Sequence, residues 1–309
     1  METSSEASSQ SSHSNKGPGG TIVPPGPELY KYVKVSDMKV ALIGLGRWGK
    51  VLLGELEKQA ELKYKCDSKT DLGPVLSDSE ITAVFIATPT NTHFDIALKA
   101  LEAGKHVFLE KPGTDSSEKL GKLIKLAEAK KLKFAVGYEF PHHPGIKKIK
   151  ELINGKGIRS IHFDWQKWGT FKDDAVLHLL CHDVSVLKFL GFDDLAFGLH
   201  HRQGVISDTD ITWTCFKSSR AEFIESNIDR VSPIKQKALT IITRDGGYIL
   251  SNNDLFEIVG MELKKIALTE ETPVSTEIKD FLMAIEEGKK PLSSGQFALE
   301  IYRILETIS

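Results

Sequence analysis

The spacing of apolar and polar positions changes twice along this chain, and each change marks a new kind of element. From Met38 a short apolar run, Val40-Ala41-Leu42-Ile43, is followed at once by Gly44-Leu45-Gly46-Arg47-Trp48-Gly49. Apolar residues at helical spacing come next: Val51, Leu52, Leu53 and Leu56. The pattern predicts a buried strand, a tight turn and a helix. A second apolar run ends at Cys66-Asp67. Residues 68–80 carry Gly73-Pro74 and few apolar residues, leaving room only for a shortened crossover. A strand over 83–87 ends in Thr88-Pro89-Thr90-Asn91-Thr92-His93, and the helix after it carries Phe94, Ile96, Ala97, Leu98 and Leu101 up to a stop at Gly104. A strand over 106–109 ends in Glu110-Lys111-Pro112. Ser116 or Ser117 caps a helix over 118–130, and a strand over 134–136 ends at Gly137. Strands alternating with helices predict a doubly wound parallel α/β sheet. Ligands bind such sheets at the carboxyl ends of the strands, where Asp67, residues 88–93, Glu110, Lys111 and Tyr138 all fall.

Near residue 141 the pattern shifts. A helix over 142–152 precedes an alternating strand over 158–168, and a helix over 175–190 is closed by Gly191. Strand-like runs follow near 195–203, 210–216, 220–231, 236–243 and 247–250, with turn signals at Lys217-Ser218-Ser219 and Asp245-Gly246-Gly247. Two helices, over 274–288 and 294–307, complete the pattern. The expected organisation is a disordered tail or expression remnant over 1–37, a dinucleotide-binding domain over 38–140, and an α+β domain over 141–309. That last domain is expected to be built on an open, mostly antiparallel sheet. The tail assignment rests on a Ser-, Gly- and Pro-rich composition with neither apolar periodicity nor the pattern of a secretory leader.

Composition narrows the function. The chain has 309 residues, enough for two domains, with 40% hydrophobic and 27% charged content. A formal net charge of −2 gives no sign of a nucleic-acid or membrane partner. No apolar run is long enough to span a bilayer. Three cysteines, Cys66, Cys181 and Cys215, without CxxC spacing, argue against a disulfide framework or zinc ribbon and suit a reducing, cytoplasmic setting.

The glycine turn points to a dinucleotide. Gly44 permits the sharp turn, Gly46 leaves the backbone open to a pyrophosphate, and Gly49 allows close packing of helix on strand. Arg47 and Trp48 lie within the same phosphate-binding turn. Free N–H groups at the helix start then face the phosphates. Asp67 stands where a carboxylate would accept the ribose 2′-hydroxyl. It favours NAD over NADP, with Arg47 and Lys69 placed to offset part of its charge. In the second half, His178 and His182 share a helix face and have metal-ligand spacing, but they lack the Glu of HExxH and a third ligand, so proton chemistry is preferred over a metal site. Asp183 points away from that face and suits a structural contact. Tyr138, His143 and Asp174 are the candidate substrate contacts, with core packing as the alternative for Tyr138 and a structural or surface role preferred for His143, one of an adjacent histidine pair. Trp165 and Trp168 read as sheet-face residues, with substrate stacking as the alternative.

Five runs, GLGRWGK, ATPTNTHFDIALKALEAGKHVFLEKP, VGYEFPHHPGIKKIKELINGKGI, HLLCHDVSVLKFLG and PLSSGQFALEIYRILE, occur in order. Together they resemble the glucose–fructose oxidoreductase / inositol dehydrogenase (Gfo/Idh/MocA) family over residues 38–309. The CHD-x-S run resembles its branch acting on nucleotide-linked sugars, such as UDP-N-acetylglucosaminuronate 3-dehydrogenases. The resemblance implies a Rossmann domain and hydride transfer between NAD, or NADP, and a secondary hydroxyl of a sugar, nucleotide sugar or cyclitol. It implies that Lys111 is catalytic, with Pro112 often following a cis bond, and that His182 sits opposite it. Thr88, Pro89, Asn91, His93 and Glu110 would line the cofactor. Many members carry Asp four residues before the catalytic histidine, where this chain has His178. That departure, with the short crossover after Asp67 and a short loop before residue 175, keeps a second reading open: an NAD-binding sensor or scaffold without catalysis. The open sheet suggests a homo-oligomer through the second domain.

Overall fold

The computed structural model describes residues 36–169, 171 and 174–308, so all but the last two residues of the tail expected over 1–37 lie outside the described residues. Ser36 is buried and its amide donates to the Gln59 carbonyl (3.0 Å), so ordered packing begins ahead of the expected Met38 boundary.

The first half forms β1 (Lys39–Ile43), α1 (Arg47–Gln59), β2 (Glu61–Cys66), α2 (Leu72–Ser77), β3 (Ile81–Ile86), α3 (Thr90–Glu102), β4 (His106–Glu110), α4 (Ser117–Ala129) and β5 (Phe134–Gly137). The five strands pair in parallel in the order β2-β1-β3-β4-β5. Side chains alternate across a strand, and here both sets are apolar. Val40, Leu42, Ala83, Phe85 and Phe108 meet Leu52 and Leu56 of α1 on one face. Ala41, Ile43, Val84, Ile86, Val107 and Leu109 meet α3 and α4 on the other. A parallel sheet covered on both faces is the reason its strands read as continuous apolar runs. The expected short crossover is a six-residue helix, α2.

The second half adds α5 (Pro144–Leu152), β6 (Ile158–Gln166), a π-helical turn (Val176–Leu180) running into α6 (Cys181–Phe189), and β7 (Ala196–Gln203). Six more strands follow: β8 (Ile211–Ser218), β9 (Ala221–Asp229), β10 (Gln236–Thr243), β11 (Gly246–Ser251), β12 (Asp254–Val259) and β13 (Glu262–Ile266). They form an eight-stranded sheet in the order β13-β12-β11-β10-β6-β9-β8-β7, antiparallel except for the parallel β6–β9 pair. β12 and β13 escape the sequence reading. They form the sheet edge, where of their residues only Leu255 is buried and Glu262–Lys265 are exposed, so the alternation that marks a half-buried strand is absent.

The last two helices, α7 (Pro273–Glu286) and α8 (Gly295–Glu306), are as the pattern predicts, but α7 packs on the first half and α8 lies between α4 and α6. Ile278, Phe281 and Leu282 of α7 join the α1 face of the parallel sheet, with Phe281 edge-on to Phe85 and Phe108. A single cut at residue 140 therefore separates α7 from the core it completes. Among the described residues no helix is long and apolar enough to cross a membrane.

Candidate active site

The turn between β1 and α1 is built by close approach. Gly44 has φ +103°, and a Cβ there would overlap the Ala87 carbonyl, while a Cβ on Gly49 would overlap the Gly44 carbonyl. Gly46 is different: a Cβ on it meets nothing within 4 Å, so that backbone faces open space at the first turn of α1, where no side chain caps the helix. A groove of about 750 Å³ runs along this turn, bordered by Gly44, Gly46, Arg47, Trp48, Asp67, Thr88 and Pro89. Uncapped N–H groups beside a glycine with open space fit a pyrophosphate. At the groove's far side the Asp67 Oδ1 accepts from the Lys69 amide (3.0 Å) and the Thr70 hydroxyl (2.9 Å), which hold its carboxyl below the usual range and keep it ionised.

The groove shares Arg47, Trp48, Ala87 and Thr88 with a second cavity of about 350 Å³, lined also by Glu110, Lys111, Glu139, Trp165, Lys167, His178, His182 and Arg230. Lys111 leaves the end of β4 and its Nζ donates to the His178 carbonyl (3.0 Å). The Lys111–Pro112 peptide is cis. His178 and His182 both border the cavity from the widened π turn and the helix after it, where the Cys181 amide reaches back to the Val176 carbonyl. The His182 ring stacks on Trp165 (centroids 5.5 Å) and lies edge-on to Phe140 (4.7 Å), and its Nδ1 is buried without a hydrogen-bond partner. Burial, then the charges of Lys111 and Lys237, push the imidazole well below its ordinary pKa, so the ring is neutral. Glu110 is buried beneath, accepting from the Lys111 amide (3.2 Å) and from Trp48, and burial pushes its carboxyl up to about 8.

Several expected contacts are placed elsewhere. Tyr138 is fully buried, its ring edge-on to Phe297, and is a core residue rather than a cleft wall. His143 caps α5, its Nδ1 accepting from the Gly145 amide (3.0 Å), and faces a separate cavity of about 30 Å³. Asp174 caps the π turn through the Val176 (2.8 Å) and Leu177 (3.0 Å) amides. His93 is buried with its ring nitrogens 3.0 Å from the Gly113 carbonyl and 2.8 Å from that of Thr88, bracing the groove wall from behind, and Asn91 is exposed outside both cavities. Each of these is a packing or capping solution that motif position alone does not distinguish from a ligand contact. Asp183 accepts from Ser226 (2.7 Å), tying α6 to β9.

Three residues of this cavity lack any local signal in the chain, Glu139, Lys167 and Arg230, and Lys237 borders the smaller cavity beside it. Lys237 has one faint mark, an inward position shared with Leu239 and Ile241 on β10. Its register partner is Trp165, and its buried Nζ lies against the Phe140 ring and 4.1 Å from the Trp165 centroid. Among the described residues no group of three metal-ligating side chains occurs.

Residues 54–138 match the model of an oxidoreductase family with an NAD-binding Rossmann fold, Gfo/Idh/MocA. The UDP-N-acetylglucosamine 3-dehydrogenase of Acidithiobacillus ferrooxidans is 28% identical over 174 residues, 50% of this chain and 54% of that protein, so the matched part spans about half the length of that relative. The 4-carboxy-2-hydroxymuconate-6-semialdehyde dehydrogenase of a Sphingobium species is 23% identical over 311 residues, covering 87% of this chain and 96% of its own. The solved structure of the Acidithiobacillus enzyme aligns with TM-score 0.80 at 20% identity, over 88% of this chain and 97% of that one. A Clostridium difficile dehydrogenase aligns with TM-score 0.79 at 19% identity, over 88% and 99%. At these identities the structural matches establish the fold alone.

Proposed function

We propose, from the premise that the chain belongs to the Gfo/Idh/MocA family of oxidoreductases, that it is an NAD(P)-dependent dehydrogenase acting on a secondary hydroxyl of a sugar, nucleotide sugar or cyclitol. The observation that carries this reading is the convergence of Lys111 and His182, from opposite halves of the chain, on one cavity continuous with the glycine-lined groove. The bound nicotinamide supplies the hydride acceptor or donor. Gly46 and the uncapped start of α1 hold the pyrophosphate, and the ionised Asp67 accepts a ribose hydroxyl and disfavours a 2′-phosphate, giving NAD preference over NADP. His182, neutral at working pH, takes the hydroxyl proton. Lys111, braced on the helix carrying both histidines, donates to the developing alkoxide. The His178 backbone fixes Lys111, and its ring borders the same space. The outward face of the second sheet, where Phe223 is exposed, is the surface assigned to a homo-oligomer.

The test is binding of NAD and NADP followed by a panel of sugars, sugar nucleotides and cyclitols read at the nicotinamide absorbance band. Turnover of a member of the panel, abolished by a Lys111/His182 double variant, supports the dehydrogenase. Tight NAD binding with no turnover across the panel favours the sensor reading instead.

A further inference from the structure

Three carboxyl groups gather around one short stretch of backbone, residues 137–139. Glu110, at the end of β4, lies against Gly137, where a Cβ would stand 3.2 Å from its Oε1. Glu277 reaches the stretch from the buried face of α7. The Ser293 hydroxyl that faces it also donates to the Tyr138 carbonyl (3.3 Å) and lies 2.7 Å from His142 Nε2. The third carboxyl is that of Glu139 itself, which is partly exposed. Glu110 and Glu277 are buried, and Oε1 of Glu277 has no hydrogen-bond partner. Glu110 and Glu139 border the catalytic cavity, while Glu277 stands behind them.

The bases nearby are directed elsewhere. The charge of Lys111 reaches Glu110 and Glu139, and that of Lys237 reaches Glu139. Yet the Lys111 ammonium donates to the His178 carbonyl, and that of Lys237 lies against the Phe140 ring. From behind, Asp280 adds a further acid on α7. Neighbouring acids in a dry site do not all ionise together, so the cluster keeps protons at neutral pH. In agreement, Glu110 is pushed up to about 8 and Glu139 and Glu277 are raised too, burial being the largest cause for each. The other charged or titratable groups bordering the cavity, besides Lys111, are Arg47, Lys167, His178, His182 and Arg230. All of them are bases. A cation entering this space is therefore matched by Glu110 or Glu139 or by nothing among the described residues.

Oxidised nicotinamide is a cation and reduced nicotinamide is neutral. We infer that Glu110 and Glu139 share a proton that one of them gives up on binding of the oxidised cofactor, and that this pair, backed by Glu277, sets the relative affinity for the oxidised and reduced forms. The step is a proton loss alone. A carboxylic O–H bond breaks, the proton goes to solvent, the carboxylate left behind offsets the charge of the ring, and no electron moves. The inference rests on the part of the dehydrogenase reading that seats the nicotinamide in this cavity, and not on turnover.

The experiment is calorimetric titration of the protein with NAD⁺ and with NADH, each in several buffers of different ionisation enthalpy, so that the heat reports the protons released. NAD⁺ is expected to release about one proton near pH 7 and NADH less than about half of one. NAD⁺ affinity should rise ~10-fold from about pH 6 to about pH 7.5, with NADH affinity changing by less than about threefold. This comparison needs no variant. A Glu110→Gln/Glu139→Gln double variant, shown folded by its melting transition, should bind NAD⁺ without proton release. Its NAD⁺ affinity should fall ~10-fold at about pH 7.5, with NADH affinity kept within about threefold. Equal release for the two cofactors overturns the inference. So does release that persists in the double variant, which would assign it to Lys237 or a histidine. Binding of neither cofactor removes this inference and the dehydrogenase reading together. Release specific to NAD⁺ without turnover on the sugar panel keeps the inference and favours the sensor reading. Turnover without such release does the reverse.

Discussion

The Lys111 ammonium donates to the backbone carbonyl of His178 across 3.0 Å. A strand end of the parallel sheet is thereby fastened to the π turn just before His182, and the contact uses the backbone of His178 rather than its ring. The lysine's position is fixed by a group that substitution at 178 leaves in place, so the geometry of Lys111 and the chemistry of the 178 side chain are separable.

Removal of the proposed base or of the alkoxide donor should cost catalysis and spare the cofactor. His182→Ala and Lys111→Ala are each expected to lower kcat on a verified substrate by ~10²–10⁴-fold. NAD affinity should change little. Steady-state kinetics with a separate NAD titration checks this, and undiminished turnover in both variants would displace the assignment.

The three turn glycines should part company on substitution. Gly46→Val places its side chain in open space, so the fold is expected to survive while the pyrophosphate is blocked. Gly49→Ala drives a Cβ into the Gly44 carbonyl and should destabilise the protein itself. Melting temperature and NAD affinity measured together distinguish the two. On the same groove, Asp67→Ala should weaken NAD more than NADP, and an unmoved ratio would leave Asp67 only its turn role.

Stability should fall as pH rises through neutrality. The Glu110 carboxyl has an ordinary pKa of 4.5 and a folded one of about 8, so the folded state holds a proton that the unfolded chain releases between those values. Its contribution is fully present below 4.5 and is lost as pH climbs through 8. At 1.36 kcal/mol per unit the upper bound is ~5 kcal/mol. Glu110→Gln keeps an acceptor for Trp48 and cannot ionise. It should match the parent near pH 5 and melt at a higher temperature at pH 9, which thermal scans across that range would show.

Lys237 should set the acidic limb of the pH–rate profile. Its charge is among those that lower the His182 pKa, after burial and Lys111. Lys237→Met removes that repulsion, so His182 protonates at higher pH and the acidic limb should move up. An unmoved limb with unchanged kcat would assign Lys237 to packing alone.

Local pattern determined much of this protein. Strand, glycine turn and helix at 39–59, the alternation behind the five parallel strands, and the placement of Asp67, Thr88, Glu110 and Lys111 at strand ends all follow from neighbours within a few residues, because apolar period and backbone geometry are short-range properties. The pairing of distant segments is not short-range. Lys167 and Arg230 meet only because β6 and β9 pair in parallel, and Lys237 faces Trp165 only through the β10–β6 register. Tyr138 and His93 sit beside the right motifs but are turned inward, since burial is decided by what the other elements cover. The same holds for α7, whose apolar stripe is plain in the sequence, whereas its partner, Phe85 and Phe108 of the first sheet, is chosen by packing alone.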